Sequence, residues 1–543
     1  LDKQALQAAS IFGQHFTLTG LRDLLDAPDY DCANLLKHQL VRPEGEDFLF
    51  AHALIRDGVY ESILTAARNQ LHLKAARWYL DTDPALHAEH LHMAQDPGAA
   101  RAYLSAARLE MAKYRHQQAI ALLDKGKPLA TETCDLVELA LTLGEAQHDV
   151  GALEEAHAAF TEALKVADDD AARCRAWLGL AGGKRITDDL DGAEADLDFA
   201  EAAARKLGLA GEQSRVHYLR GNIAFPRADT ETCLREHRAA LDLARKAGSA
   251  ELEAAALGGW ADAEYLRGRY RSACERFTEC VEISREHGFG RIHVANLPMM
   301  AFTLKWCGEV ERALDVGLEA IETAQRVGHG RAELIGRNAA FECYRFQGQT
   351  ALAREHAERG LALVHQLGAE RFEPMLLLYF AELEYIQGDQ VAALATARNA
   401  LTSCRKTGMA FVGPKILGGL ALVTNDKTER HEACSEAEAL LAEGSVSHNY
   451  TYFRLFAIDA CLQAGEYDEA ERHADVLAAF NPQEELHLVE FAADRGRVLA
   501  RVGRGDNSTE LITEIDRLIV AGDQMLQTLK VADLHQARSV LLG

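Results

Sequence analysis

Gly268-Arg269-Tyr270-Arg271-Ser272-Ala273-Cys274-Glu275-Arg276-Phe277-Thr278-Glu279-Cys280 is the stretch that decides the fold. It sets a glycine, a small residue five places on, then an aromatic and a second small residue at helical spacing. The glycine recurs as Gly268, Gly308, Gly348 and Gly388, 40 residues apart, and a second column, Gly208, Gly248, Gly288, Gly328, Gly368 and Gly408, falls midway between. Two breaks per period imply two helices of roughly 16 residues, each ended by a glycine that can take the left-handed C-terminal conformation. Ala273, Ala313, Ala353 and Ala393, with Ala193, Cys233 and Ala433 in the same phase, supply small side chains where the second helix must approach the first. The expected architecture is an all-α solenoid of helical hairpins.

Around Gly144 the offsets of twelve, sixteen and nineteen to Ala156, Phe160 and Ala163 complete a familiar pattern. On these residues the chain resembles the tetratricopeptide family, in a long 40-residue variant. The resemblance implies an α-solenoid superhelix of about eleven helical hairpins. It runs over residues 98–543, with the regular period at about 170–448. Outside that core Ala119, Ala156 and Ala193 are 37 apart, as are Ala433 and Ala470, and the stretch after Asn481-Pro482 diverges. Terminal repeats usually depart from the consensus because one face meets water.

The N-terminal stretch reads differently. Helices over Gln4–Phe12, Thr19–Leu25 and Tyr30–Gln39 precede the turn Pro43-Glu44-Gly45-Glu46-Asp47, a strand Phe48–Phe50 and a helix from Ala53. Three short helices with a strand pair outline a small winged-helix domain over 1–66, joined by connecting helices over 67–97. The residues Ala9-Ser-Ile-Phe-Gly13, Phe16, Leu35-Leu36 and Phe50-Ala-His52-x-Leu54-Ile55-Arg56-Asp57-x-x-Tyr60 carry a second resemblance, to the winged helix of STAND-class signal-transduction ATPases. Arg68, His72, Ala75-Ala76 and Ala88-Glu-His90 extend it. The likeness is nearest to bacterial members with tetratricopeptide repeats, including those attached to class III nucleotide cyclases. It implies that His52 contacts the β-phosphate of ADP held by an ATPase domain preceding Leu1, although Ala51-His52-Ala53 stands here where related ATPases have Met-His-Asp. An imidazole donor can report a diphosphate beside it; His52 can equally cap or pack at a strand-helix junction, and both readings stay open.

No nucleotide site is encoded in this span. Gly182-Gly183-Lys184-Arg185 lacks the first glycine and the hydroxyl of a phosphate loop, and Gly288-Phe289-Gly290 and Gly328-His329-Gly330 lack the third glycine of a dinucleotide loop. No cofactor is therefore expected within it, and ATP or ADP is expected on the absent upstream domain. With 58 basic against 83 acidic side chains, a net charge of -25, and no basic patch, nucleic acid is not an expected partner. The eleven scattered cysteines lack any Cys-x-x-Cys pair and read as reduced core residues. No run reaches the roughly 18 apolar residues that span a bilayer. The chain begins at Leu1 inside a helix, so it is expected to be the cytoplasmic C-terminal part of a longer protein. His87, His90 and His92 supply no complete metal-ligand set, the acidic turns Asp168-Asp169-Asp170 and Asp188-Asp189 read as solvated loops or helix starts, and no nucleophile elbow or zinc motif is present.

In a hairpin solenoid the first helices line the concave face. Taking that phase, Arg185, Phe225, Tyr265, Lys305, Arg345 and Tyr385 form one column, and Asn222, Asp262, Phe302, Glu342 and Glu382 a neighbouring one. Aromatic and arginine anchors suit recognition, so a groove for a peptide, protein or small-molecule inducer is expected, with self-association of the full-length protein. Arg291, Arg331 and Arg371 are expected to counter acids at the helix turns. The expected role is a regulatory sensor and interaction region of a signal-transduction ATPase, non-enzymatic itself, the effector being a class III nucleotide cyclase. The alternatives are a peptide-binding scaffold without nucleotide coupling and the sensor arm of a helix-turn-helix transcriptional regulator.

Overall fold

The computed structural model describes residues 1–225, 227, 229–480 and 483–542, so Pro226, Ala228, Asn481, Pro482 and Gly543 lie outside the described residues. The chain forms two compact units, Leu1–Val216 and His217–Gly543, the division falling inside the helix Ala210–Ala224.

In the first unit, helices Asp2–Phe12, Leu18–Leu25 and Ala33–Lys37 pack beside a three-stranded antiparallel sheet. Asp47–Phe50 is its central strand, pairing with Val41–Glu44 and with a short edge strand, His15–Phe16, that the sequence does not announce. The third helix is shorter than the expected Tyr30–Gln39, because the Asp31 carboxylate accepts from Ala33 N (3.0 Å) and delays its start. Phe50, Leu21, Leu24, Ala8 and Ala9, all 0–1% exposed, form the core of this domain. Farther on, Ala88 packs on Tyr103 of the helix Ala99–Ala112, much as one repeat packs on the next. The compact division accordingly falls at Val216, well after residue 97 where the sequence pattern changes.

From Ala99, eleven hairpins and a final helix, Thr528–Leu542, follow one another among the described residues. The fold is the tetratricopeptide-like α-solenoid that the 40-residue spacing predicts. In the regular part the helices have 17 or 18 residues. Gly208, Gly248, Gly288, Gly328 and Gly368 end theirs in the left-handed conformation, with φ between 61° and 73°. Gly408 differs: at φ 106°, ψ 131° it leaves the left-handed helical region, and the next helix, Met409–Val423, starts on the following residue. Ala273, Ala313, Ala353 and Ala393 are all completely buried, as close helix approach requires.

The second unit coils until it meets itself. Tyr270 Oη lies 3.2 Å from Thr451 Oγ1, 181 residues away. Glu484 accepts from Arg271 N (3.1 Å) and from Ser272 N (3.3 Å) and its hydroxyl, capping the helix Tyr270–His287 from across the turn. Gly268, at φ +76°, lets the Phe480 ring approach; a Cβ there would lie 2.6 Å from it. The first helices of this unit thus face an enclosed interior.

Candidate functional site

The 40-residue period carries Lys305, Arg345 and Tyr385 on three successive first helices, and Glu342 and Glu382 one turn earlier on two of them. All five point inward. Lys305 and Glu342 form an ion pair with each side chain only 1% exposed. The same carboxylate accepts from Tyr452 Oη, from Tyr379 Oη (3.0 Å) and from Lys415 Nζ (3.2 Å). Two ammonium groups and two phenols therefore converge on one carboxylate. Lys415 Nζ lies 3.7 Å from the Tyr452 ring centroid and Lys305 Nζ 4.2 Å from that of Trp306, so both cations also rest on aromatic faces.

Burial by itself pushes the Glu342 carboxyl up, but Lys305 and Lys415 override it and hold the group well below the usual carboxylate range. For Lys305, burial outweighs the attraction of Glu342 and, with Lys415 repelling, lowers the ammonium to about 8. The 40-residue phase assigns both residues to the groove, and here each is 1% exposed. Lys305 and Glu342 have no face left for a partner, because the superhelix closes over them.

Beside this ionic core lies a cavity of about 120 Å³. Arg345, Glu382, Tyr385, Asp459, Arg495 and Lys530 supply its polar wall, and Phe346, Phe456, Leu488 and Phe491 its apolar one. Asp459 accepts from Arg495 (2.7 Å) and Lys530 (2.6 Å); against the effect of burial, these two cations lower it to about 2. Arg495 also pairs with Asp533. Glu382 is pushed up by burial, opposed by Arg345, whose Nε stands 3.2 Å from its carboxylate. That Nε is buried and lacks an aligned hydrogen bond.

The other expected contact residues fall elsewhere. Tyr265 is half-buried with its Oη 3.5 Å from His448 Nδ1, whose ring burial lowers to about 4. Asp262 is pushed up to about 7 by burial. Asn222 is half-buried, Phe225 is exposed, and Arg185 sits half-buried on the helix Asp170–Ile186 of the first unit. Arg371 does not counter a turn acid; its guanidinium stacks 5.1 Å from Phe372 and 5.5 Å from Phe411. Sequence reasoning missed Lys415, Tyr452, Asp459, Arg495 and Lys530. A signal for Lys415 was present: it is the only charge in Met409–Val423, whose residues from Val412 on are all buried, so it demands a buried partner.

In the first unit His52 is exposed, and its Nδ1 accepts from Leu54 N at 3.3 Å, capping the helix Ala53–Glu61. Tyr60 Oη meets His72 Nε2 at 2.9 Å, and His72 Nδ1 meets His90 Nδ1 at 2.9 Å. His87 is held by the Ala76 carbonyl (2.7 Å) and His92 by Tyr103 Oη (3.4 Å), so the three histidines have separate partners. Gly182, Gly183 and Lys184 lie inside a helix, with Lys184 paired to Asp196 (2.7 Å), and Asp169 and Asp189 cap helices as expected.

No family model and no curated protein sequence matches the chain. Among solved structures, it is similar to a signal-transduction ATPase with numerous domains, carrying a tetratricopeptide repeat sensor, from Pyrococcus horikoshii. The TM-score is 0.54 at 16% identity, over 74% of this chain and 62% of that one, so the match spans less than two thirds of that protein's length. A Rap protein complexed with Competence and Sporulation Factor matches with TM-score 0.49 at 14% identity, over 64% of this chain and 99% of that one. Aspartyl phosphate phosphatase F from Bacillus subtilis matches with TM-score 0.43 at 12% identity, over 64% and 93% respectively. The first of these likenesses, joined to the helix pairing and the glycine caps, makes the chain a tetratricopeptide-like α-solenoid.

Proposed function

We infer that this chain is the sensor region of a STAND-type signal-transduction ATPase, and that the interior of its second unit receives the signal as a small polar ligand. The carrying observation is the cavity of about 120 Å³ lined by Arg345, Glu382, Tyr385, Asp459, Arg495 and Lys530. An apolar pocket with convergent polar groups is the usual form of a small-molecule site. The enclosure favours a small molecule over a peptide. A ligand seated there would bias how the superhelix closes, and binding that differs between two closures is what shifts an equilibrium.

The N-terminal helices and sheet are read as a winged helix, with exposed His52 directed to ADP on a nucleotide domain outside this chain. A cytoplasmic setting and self-association of the full-length protein through the repeat arm are part of this proposal, and the sequence resemblance adds a class III cyclase as the effector. The test is the ADP affinity of the full-length parent with and without His52→Ala. A loss of affinity in the variant, with helix content unchanged, is expected; equal affinities defeat the coupling.

A further inference from the structure

We propose that the turn 525–530 and the final helix that leaves it, Thr528–Leu542, form the lid of the interior cavity, with Lys530 and Asp533 as its latch. The proposal rests on the reading of the interior as a ligand chamber and adds the way in.

Three observations carry it. The first is placement. The turn follows the helix Thr509–Gln524 and puts Gln527, Leu529 and Lys530 into the cavity wall. It is seated on two mid-repeat glycines: a Cβ at Gly308 would lie 3.2 Å from Met525 Sδ, and one at Gly348 3.8 Å from Thr528 Cγ2. The other walls come from helices inside the array, whereas the final helix packs chiefly on Thr509–Gln524 and His487–Gly503. Elements at the end of an array open at lower free energy than those inside it.

The second is charge, which decides which wall can leave. Lys530 donates to Asp459 (2.6 Å), and Asp533 accepts from Arg495. The two lid groups are already 35% and 45% exposed. Lifting the final helix takes one cation and one carboxylate into water together, and Asp459 and Arg495 stay paired at 2.7 Å. No ion is stranded, so opening avoids the cost of an uncompensated buried charge. The sealed group of Lys305, Glu342 and Lys415 offers no such exit, because parting any of them leaves a buried charge alone.

The third is the backbone. Leu526 sits at φ +55°, the one aliphatic residue in the left-handed region among the described residues. Gln527 N reaches Gly522 O at 2.9 Å, the helix-ending bond that elsewhere in the array is made around a glycine such as Gly248. A side chain in that conformation is disfavoured and persists where packing holds it. Leu526 packs against the core of the closed superhelix, so the closed turn holds strain that a swing of the final helix can release. A ligand touching Gln527, Leu529 and Lys530 adds contacts to the closed form alone, and so favours it.

The test uses the whole chain, with iodoacetamide as the probe of entry. Leu488→Cys places a thiol in the cavity wall at a buried site, and the completely buried Cys343 reports global unfolding in the same sample. Peptide mass mapping reads both. The thiol at position 488 is expected to react about tenfold or more faster than Cys343, as local opening requires. Gly348→Cys/Thr528→Cys, with Cβ atoms 4.0 Å apart, can lock the turn as a disulfide. The lock should slow the reaction at 488 about tenfold, reversibly on reduction, and Gly348→Cys alone controls for strain at φ +73°. Lys530→Met should speed the reaction by up to about fivefold, the worth of a part-exposed ion pair. Circular dichroism melting checks folding, and Ile458→Cys, on another wall, serves if the first reporter does not fold. A lock that does not slow the reaction, or a Lys530→Met chain that does not speed it, overturns the lid and its latch while leaving a chamber entered elsewhere. Reaction at 488 no faster than at Cys343 refutes the chamber, and the lid with it.

Discussion

Glu342→Gln should be among the most damaging single changes in the second unit. The substitution keeps the size of the side chain and removes the one carboxylate that Lys305, Lys415, Tyr379 and Tyr452 share. Lys305 and Lys415 are 1% and 2% exposed, so neither can turn to water. Removing one partner of a buried pair costs about 3–5 kcal/mol, and here two ammonium groups lose the same counter-ion, which places the expected loss at the upper end. Trp306, stacked on Tyr270 with ring centroids 5.2 Å apart and edge-on to Tyr452 at 5.0 Å, reports the site by fluorescence during urea unfolding. Repeat arrays depart from two-state unfolding, so amide exchange in the helix Gly330–Phe346 should accompany it. Adding Lys305→Met to Glu342→Gln leaves one uncompensated ammonium instead of two, and the pair should be far less than additive. A single-variant loss below about 1 kcal/mol, or simple additivity, would refute the ionic-core argument.

Other expectations follow from the same contacts. Lys305 is lowered to about 8 in the folded chain and titrates near 10.4 when unfolded. Between those values the unfolded state binds more protons, so this group adds stability as pH rises from about 8 to 10; the gain, read by urea midpoints, should be absent in Lys305→Met. His72 and His90 are each lowered to about 4, chiefly by burial. Their contribution should fall as pH drops from about 6.5 to 4, steepening acid unfolding of the first unit more than in His90→Phe. Gly328→Ala meets no atom within 4 Å but sits at φ +72°, so it should cost only the backbone term of about 1–2 kcal/mol, whereas Gly268→Ala, with Phe480 2.6 Å from its Cβ, should cost more in thermal melts. Glu484→Ala removes the cap on the helix Tyr270–His287, about 1 kcal/mol, and should loosen the closure, visible as increased exchange at residues 270–273.

The sequence carried the helix ends, the pairing and the inward columns, but not what the columns meet. Glycines that must turn left-handed and alanines that must be small announce themselves locally, because the constraint acts within one hairpin. Lys305, Arg345 and Tyr385 could be placed on one face for the same reason. Their partners could not: Lys415 stands 73 residues from Glu342, and Tyr452 stands 110 residues from Glu342 and 147 from Lys305. Such distances are set by how far each hairpin rotates on the last, a small angle that accumulates over repeats and leaves no periodic mark in the text. Part of the missing information was nonetheless present in another form. A lysine in the apolar helix Met409–Val423, or Asp459 between Ile458 and Ala460 in a helix buried nearly all round, is not stable without a partner. These charges state that the solenoid must close before its curvature is known. In the same way the inward Arg345, reached from sequence as a contact residue, becomes informative only once closure shows which donors are spoken for and which face the cavity.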